Sequence, residues 1–327
     1  MKNPKPLACI AAMWIGLAAA TAQAQNNAPF PSRVVTLVVP FTSSSGSDII
    51  ARIVGPKLSQ RWGQPVVVDN KPGASGNLGA QQVASAAPDG HTLLMAINTF
   101  TITPSIYRKV PFDPVADFAP VGKLAEASFV FAVNPGVPAT DMKSLLAHAR
   151  QNKGQLNYGT PGNGTPQHLA MELLKSSVGL DALHVPYKGI SGAITDLIGG
   201  QVQMMFATVH SMRPYAQAGK VKLLAVTGST RNAFGPDVPT FKEQGIGAME
   251  GVDAWYGVMA PARTPPALVA RLNRDFDEVL NSPDVVDSLA KQGLVVRTGT
   301  PAQFGALIRT DLARWHKVVT DAKISAD

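Results

Sequence analysis

Cysteine is almost absent: the only one in 327 residues is Cys9, inside a stretch that reads as a leader. The chain beyond that leader therefore has no disulfide, no thiolate metal site and no cysteine nucleophile. Aromatic residues make up only 6% of the chain, and no run of Lys and Arg interleaves with them, so no nucleic-acid partner is expected. The six histidines are scattered, with no pair at metal-ligand spacing, and neither a metal nor a cofactor is expected. Beyond the leader the apolar runs are strand-sized, well short of the about 20 residues that a membrane-spanning helix needs. Catalytic signatures are missing too: there is no H-E-x-x-H, no G-x-S-x-G, no P-loop and no spaced G-x-G-x-x-G. Ser288-Leu289-Ala290-Lys291 matches S-x-x-K and Arg297-Thr298-Gly299 mimics K-T-G, but they lie too close together to form separate walls of a penicillin-binding site.

What is present starts with Lys2 and Lys5, an apolar stretch from Leu7 to Ala20, and the small-x-small signal Ala22-Gln23-Ala24. This pattern reads as a secretory signal peptide over residues 1–24 and implies export to a bacterial periplasm. Net charge is +7, two of those charges belonging to the leader. A mild positive field steers acidic solutes towards a cleft, and it is equally ordinary surface charge. The remaining length is more typical of two domains than of one.

The first half alternates strand and helix signals. Val34-Thr36-Val38-Val39 is β-branched, and Ile49, Ile50, Ile53, Val54 and Leu58 then recur at helical spacing. Further strands are expected at Val66 to Val68 and Thr92 to Met95, with a helix through Gln81 to Ala86 between them. The alternation restarts with Phe129 to Val133, a helix from Asp141 to Arg150, and strands at Leu156 to Tyr158, His184 to Tyr187, Val202 to Phe206 and Leu223 to Val226. Such alternation makes a parallel sheet covered on both faces. Trp255 to Met259 is one more strand. Leu268 to Leu280 and Phe304 to Val319 are helices without a strand repeat of their own, expected to pack back on the first half. A discontinuous first domain over 25–127 and 250–327, a second over 128–249, and two crossings between them are expected.

Two loops join an apolar strand to an amphipathic helix. Loop one is Pro40-Phe41-Thr42-Ser43-Ser44-Ser45-Gly46-Ser47-Asp48; loop two is Tyr158-Gly159-Thr160-Pro161-Gly162-Asn163-Gly164-Thr165-Pro166. Unpaired amides and the helix dipole at such junctions favour an anion. Ligands also collect outside the carboxyl ends of strands in open α/β sheets. Loop one reads equally as a solvated turn capped by Ser47 or Asp48. In loop two, Thr165 is a good N-cap and Pro166 suits the first helical position, while Gly162 and Gly164 permit positive φ or close backbone approach. His168 then falls in the first turn, as an anion donor or a structural side chain. Glu172 reads as solvated or internally bonded. Lys188 is a carboxylate partner or a surface charge, and Asp196 a structural acceptor.

Several motifs resemble the periplasmic solute-binding proteins of tripartite tricarboxylate transporters, the Bug (Bordetella uptake gene) or TctC-like family. They include Pro40 to Asp48, Asn70-Lys71-Pro72-Gly73-Ala74-Ser75-Gly76-Asn77-Leu78-Gly79-Ala80, Ala87 to Leu94, Tyr158 to His168, Val185 to Gly189, Asp196 to Val202, Pro236 to Thr240 and Trp255 to Pro261. The resemblance implies an α/β class II periplasmic binding-protein fold, two α/β domains with a ligand cleft and two crossover strands. It also implies a small carboxylate and membrane transport subunits as partners, and a monomer is expected. Carried onto this chain, it places Phe41, Thr42, Ser43, Ser44, Ser45, Gly46 and Ser47 on one wall, and Thr160, Pro161, Gly162, Asn163, Gly164, Thr165 and His168 on the other. One departure stands out: where the family commonly has small-small-Gly-Gly after Pro-Phe, this chain has Thr42-Ser43-Ser44-Ser45. Their Cβ atoms disfavour positive φ and their hydroxyls add donors, so selectivity is expected to reside there. The expected function is a carboxylate receptor without catalysis. The alternatives are a periplasmic hydrolase using a loop-one serine with His168 as base, and a sensor that presents the bound acid.

Overall fold

The computed structural model describes residues 30–43, 45–187, 189–233 and 235–325. The leader over 1–24, Ser44 and Lys188 lie outside the described residues. The chain runs β1 (Val35–Val39), α1 (Gly46–Trp62), β2 (Val66–Asn70), α2 (Asn77–Ala84), β3 (Thr92–Ile97), α3 (Thr99–Ile106) and β4 (Phe118–Ala127). It continues through β5 (Phe129–Val133), α4 (Met142–Gln151), β6 (Asn157–Thr160), α5 (Pro166–Val178), β7 (Leu183–Pro186), α6 (Ile190–Gly199), β8 (Met204–Thr208), α7 (Val209–Gln217) and β9 (Lys222–Val226). It closes with β10 (Ala254–Pro261), α8 (Pro266–Leu280), α9 (Pro283–Lys291), β11 (Val295–Val296) and α10 (Pro301–Asp321). Among the described residues no helix is long and apolar enough to cross a membrane.

Two α/β domains result, one on a six-stranded sheet ordered β11-β4-β10-β3-β1-β2 and one on a five-stranded sheet ordered β7-β6-β8-β5-β9. Strand β1 shows why the central strands are apolar throughout. Val35, Leu37 and Val39 enter the core shared with α1, while Val38 packs on the opposite face with Ala80 and Phe100. A strand covered on both faces needs no polar alternation. Helix α1 buries Ile50, Ala51, Val54 and Leu58 and ends at Gly63, whose φ of 66° is the left-handed cap.

Neither sheet is wholly parallel, in contrast to the alternation reading. β10 runs antiparallel to β3 and β4, and β5 antiparallel to β8 and β9. The cause is topological. Only Ser128 separates β4 from β5, so β5 enters its sheet at the edge where β8 ends, pairing Phe129 with Thr208. Likewise β10 re-enters the first sheet beside the end of β3, pairing Tyr256 with Ile97. A strand that enters at the carboxyl edge must run backwards. Both crossings therefore lie at the edge from which loops one and two emerge.

The crossings are tied together. Thr227 donates its N–H to Phe129 O at 3.0 Å and accepts the Phe129 N–H on Oγ1 at 3.0 Å. The same hydroxyl donates to the Asp253 carboxyl, which burial pushes up to about 6. The terminal helices α8 and α10 do pack on β4 of the first domain, and α10 also reaches α5 of the second. Sequence periodicity passed over β4 and α3. β4 sets Ala119, Pro120, Lys123 and Glu126 at half-buried positions among its core contacts without strict alternation, and α3 carries Pro104, which breaks the helical signal.

Candidate functional site

Loop one leaves β1 at Val39 and enters α1 at Gly46. Its cap is Ser45, not Ser47 or Asp48: Ser45 Oγ accepts the Asp48 N–H at 3.4 Å and lies 3.3 Å from Ser47 Oγ. Asp48 is turned inward. Its carboxylate accepts Arg52 Nε–H at 2.9 Å and Asn70 Nδ2–H at 2.9 Å, and Asn70 also donates to Phe41 O at 3.0 Å. Arg52 closes the ring by donating to Asn70 Oδ1 at 3.0 Å. A buried carboxylate with paired donors holds the loop from below. Thr42 and Ser43 are left exposed, Ser45 and Gly46 half-buried, and Ser47 buried.

Neighbouring segments shape the same edge. Phe41 rests on Gly76, whose φ is 97° and where a Cβ would come within 3.2 Å of the Phe41 ring. Gly76 closes a turn in which Ala74 and Ser75 also take positive φ, 47° and 56°, a strained arrangement for residues with side chains. Ser75 Oγ lies 2.9 Å from Tyr107 Oη. Gly46 needs to be glycine for space: a Cβ there would sit 2.3 Å from the Tyr256 hydroxyl. Nothing local in the sequence signals that Asn70 braces loop one or that Tyr256 abuts it, because both arrive from other strands.

Loop two is bonded to itself. Thr165 accepts the His168 N–H at 3.4 Å and donates to Gly162 O at 2.8 Å. Gly162 and Gly164 take φ of 147° and 68°, which L side chains avoid. Gly164 donates its N–H to His168 Nδ1 at 3.1 Å. His168 is buried and stacks on His184 with ring centroids 3.9 Å apart. Burial, together with the neighbouring His184, pushes His168 down to about 4, so its ring is neutral and Nδ1 can accept. Buried Thr160 lies 2.6 Å from His184 Nε2 through Oγ1 and accepts the Gly162 N–H at 3.3 Å. Glu172 is internally bonded, accepting from the Tyr158 hydroxyl and from Lys175 Nζ at 2.7 Å. Asp196 accepts the Tyr187 hydroxyl at 2.6 Å. Asn163 is exposed and Pro161 half-buried.

Loop two meets the opposite domain directly, and loop one lies beside a segment of its own domain that does so. Gly164 sits against Ile106 of α3, where a Cβ would come within 2.6 Å of the isoleucine Cδ1. Ser43 and Asp48 line a cavity of about 340 Å³ with Gln292, and the adjacent Gly293 abuts His210 of α7. Asn163 and His168 line a cavity of about 430 Å³ with Glu172, Lys175, His184 and the segment 322–325. His168 is not presented to loop one as a base: its partners are Gly164, Tyr158 and His184 of its own domain. Among the described residues no group of three His, Cys, Asp or Glu could hold a metal ion.

Known proteins share this sequence pattern and architecture. The family model for the tripartite tricarboxylate transporter family receptor matches residues 50–324. A UPF0065 protein from the tcbD-tcbE intergenic region of Pseudomonas sp. (strain P51) is 37% identical over 97% of this chain and 95% of its own length. Protein BugT of Bordetella pertussis is 32% identical over 90% of this chain and 91% of its own. Among solved structures, a protein of R. palustris with adipate superposes with a TM-score of 0.75 at 34% identity, covering 90% of this chain and 99% of that one. MatC from Rhodopseudomonas palustris with bound malate superposes with a TM-score of 0.72 at 32% identity, covering 89% and 100%.

Proposed function

The chain belongs to the tripartite tricarboxylate transporter receptor family, and from that premise we propose that it is a periplasmic receptor that captures a small organic carboxylate between its two domains. The single observation that carries this reading is that loop one and loop two emerge at the same edges as both crossings, so a hinge motion there changes the distance between them. Thr42, Ser43, Ser44 and Ser45 supply hydroxyl donors from the first wall. Loop two supplies the amide and side chain of Asn163, its hydroxyls, His168 and the Gly162, Gly164 and Thr165 amides being engaged internally.

The ligand stabilises the closed arrangement by its greater affinity for it, and membrane transport subunits take the loaded protein. The domains divide at 25–127 with 250–327, and 128–249, after removal of residues 1–24, and the receptor acts as a monomer without catalysis. Two relatives carry adipate and malate, which makes aliphatic dicarboxylates the first class to try. A thermal-shift panel of mono-, di- and tricarboxylates tests the reading, since ligand at 100-fold over Kd adds about 2.7 kcal/mol. A melting temperature raised only by sugars or cations would overturn it.

A further inference from the structure

Tyr256 carries a hydroxyl that the fold leaves unused. The hydroxyls of Tyr107, Tyr158 and Tyr187 are taken up by Ser75, Glu172 and Asp196. Tyr256 has no hydrogen-bond partner among the described residues, and burial alone pushes it up to about 12, so it remains a neutral donor. The residue is half-buried, and a phenol partly withdrawn from water ordinarily finds an acceptor.

Its position explains what acceptor would fit. Tyr256 is paired with Ile97 on one side and Ala125 on the other, at the carboxyl edge of the first sheet. The register of β10 against β4 shifts between Tyr256 and Gly257, the kind of bulge that re-aims a side chain. The phenol oxygen then occupies the space that a side chain at position 46 would fill, at the start of the long helix α1. There the amides of Gly46 and Ser47 precede the helical ladder and need acceptors. A neutral donor beside unpaired amides suits an anion and repels no negative charge. Three residues before Tyr256, Asp253 is bonded to Thr227 between the two crossings.

We propose that Tyr256 is a ligand-reading residue of the cleft: its hydroxyl donates to the captured carboxylate at the start of α1 and couples occupancy to the returning crossover strand. This rests on the carboxylate reading of the cleft. It gives Gly46 a reason that loop conformation does not, since any larger residue there would push the phenol aside.

Calorimetric titration with malate, adipate and benzoate, on wild type and Tyr256→Phe, tests it. The expected result is a Kd raised about ten-fold or more by losing one charge-assisted hydrogen bond, with the unliganded melting temperature unchanged because the ring still packs. Gly46→Ala is expected to weaken binding as well, and to add little in a Tyr256→Ala background, because one interaction is lost in both. Equal binding by wild type and Tyr256→Phe, or additive losses in the double variant, would overturn the role of Tyr256 and leave the cleft reading intact. Failure of every acid in the mono-, di- and tricarboxylate panel to bind wild type would overturn the carboxylate reading and this proposal together.

Discussion

Loops one and two occupy equivalent strand-to-helix junctions in the two domains, yet they are held in opposite ways. Loop two is shaped from within: Thr160, Thr165 and His168 all bond its own backbone or a neighbouring strand, and two glycines absorb the unusual φ values. Loop one is held from outside. Asp48, Arg52 and Asn70 grip it beneath, while Thr42 and Ser43 point their hydroxyl-bearing positions into solvent. A loop whose side chains and most of whose amides are spent internally has little left with which to tell one ligand from another. A loop held from below can vary its upper side chains without unfolding, so it is the better place for selectivity.

The sharpest attack on this contrast is Gly164→Val. A β-branched residue at φ of 68° pressed against Ile106 combines backbone strain with overpacking, and a loss of about 3 kcal/mol is expected in chemical denaturation. Tolerance of valine would mean that loop two is not conformationally constrained.

Protonation attacks the same loop without mutation. Folded His168 titrates near 4 against 6.5 for the free side chain, so between those values the unfolded chain binds more protons and stability rises with pH. The contribution is complete above about 6.5, is lost as pH falls through about 4, and amounts to about 3 kcal/mol at most. Asp253 works in the opposite sense, because its folded value is raised from 3.8 to about 6 and its burden grows over that range. The difference between wild type and His168→Asn isolates the histidine, since the asparagine carbonyl can still accept the Gly164 N–H. A difference in stability that stays constant from pH 4 to 6.5 would show that His168 does not brace the loop as a neutral ring.

On loop one, Asp48→Ala is expected to cost about 2 kcal/mol, from unpaired groups left beneath the loop, and to weaken carboxylate binding at the same time. Ser45→Ala removes the cap of α1 and is expected to cost about 1 kcal/mol. Thr42→Ala and Ser43→Ala sit at the bottom of the scale for stability, within about 0.5 kcal/mol, yet should change relative Kd values across a dicarboxylate panel. If they alter stability as much as Asp48→Ala does, the division between a supporting underside and a reading surface fails.

Much of this arrangement was legible in the residues. Thr165 and Pro166 start α5 where the cap and first-position preferences put them, and Glu172 and Asp196 are internal acceptors. The cap of α1 was not: Ser45, Ser47 and Asp48 are all good capping residues, and choosing among them depended on Asn70 and Arg52 drawing Asp48 inward. The antiparallel entry of β5 and β10 was equally invisible, since strand direction leaves no mark on the apolar composition of Phe129 to Val133 or of Trp255 to Met259.

The sequence by itself determined the alternation of strands and helices, the two strand-to-helix loops and the family to which they belong. Apolar periodicity, turn residues and caps act over a few positions, and these features need nothing more distant. Tertiary structure alone decided that His184 stacks on His168, that Asn70 holds Phe41, and that Tyr256 fills the space beside Gly46. Each of these joins elements separated along the chain, and only the order and direction of strands in the two sheets bring them within reach.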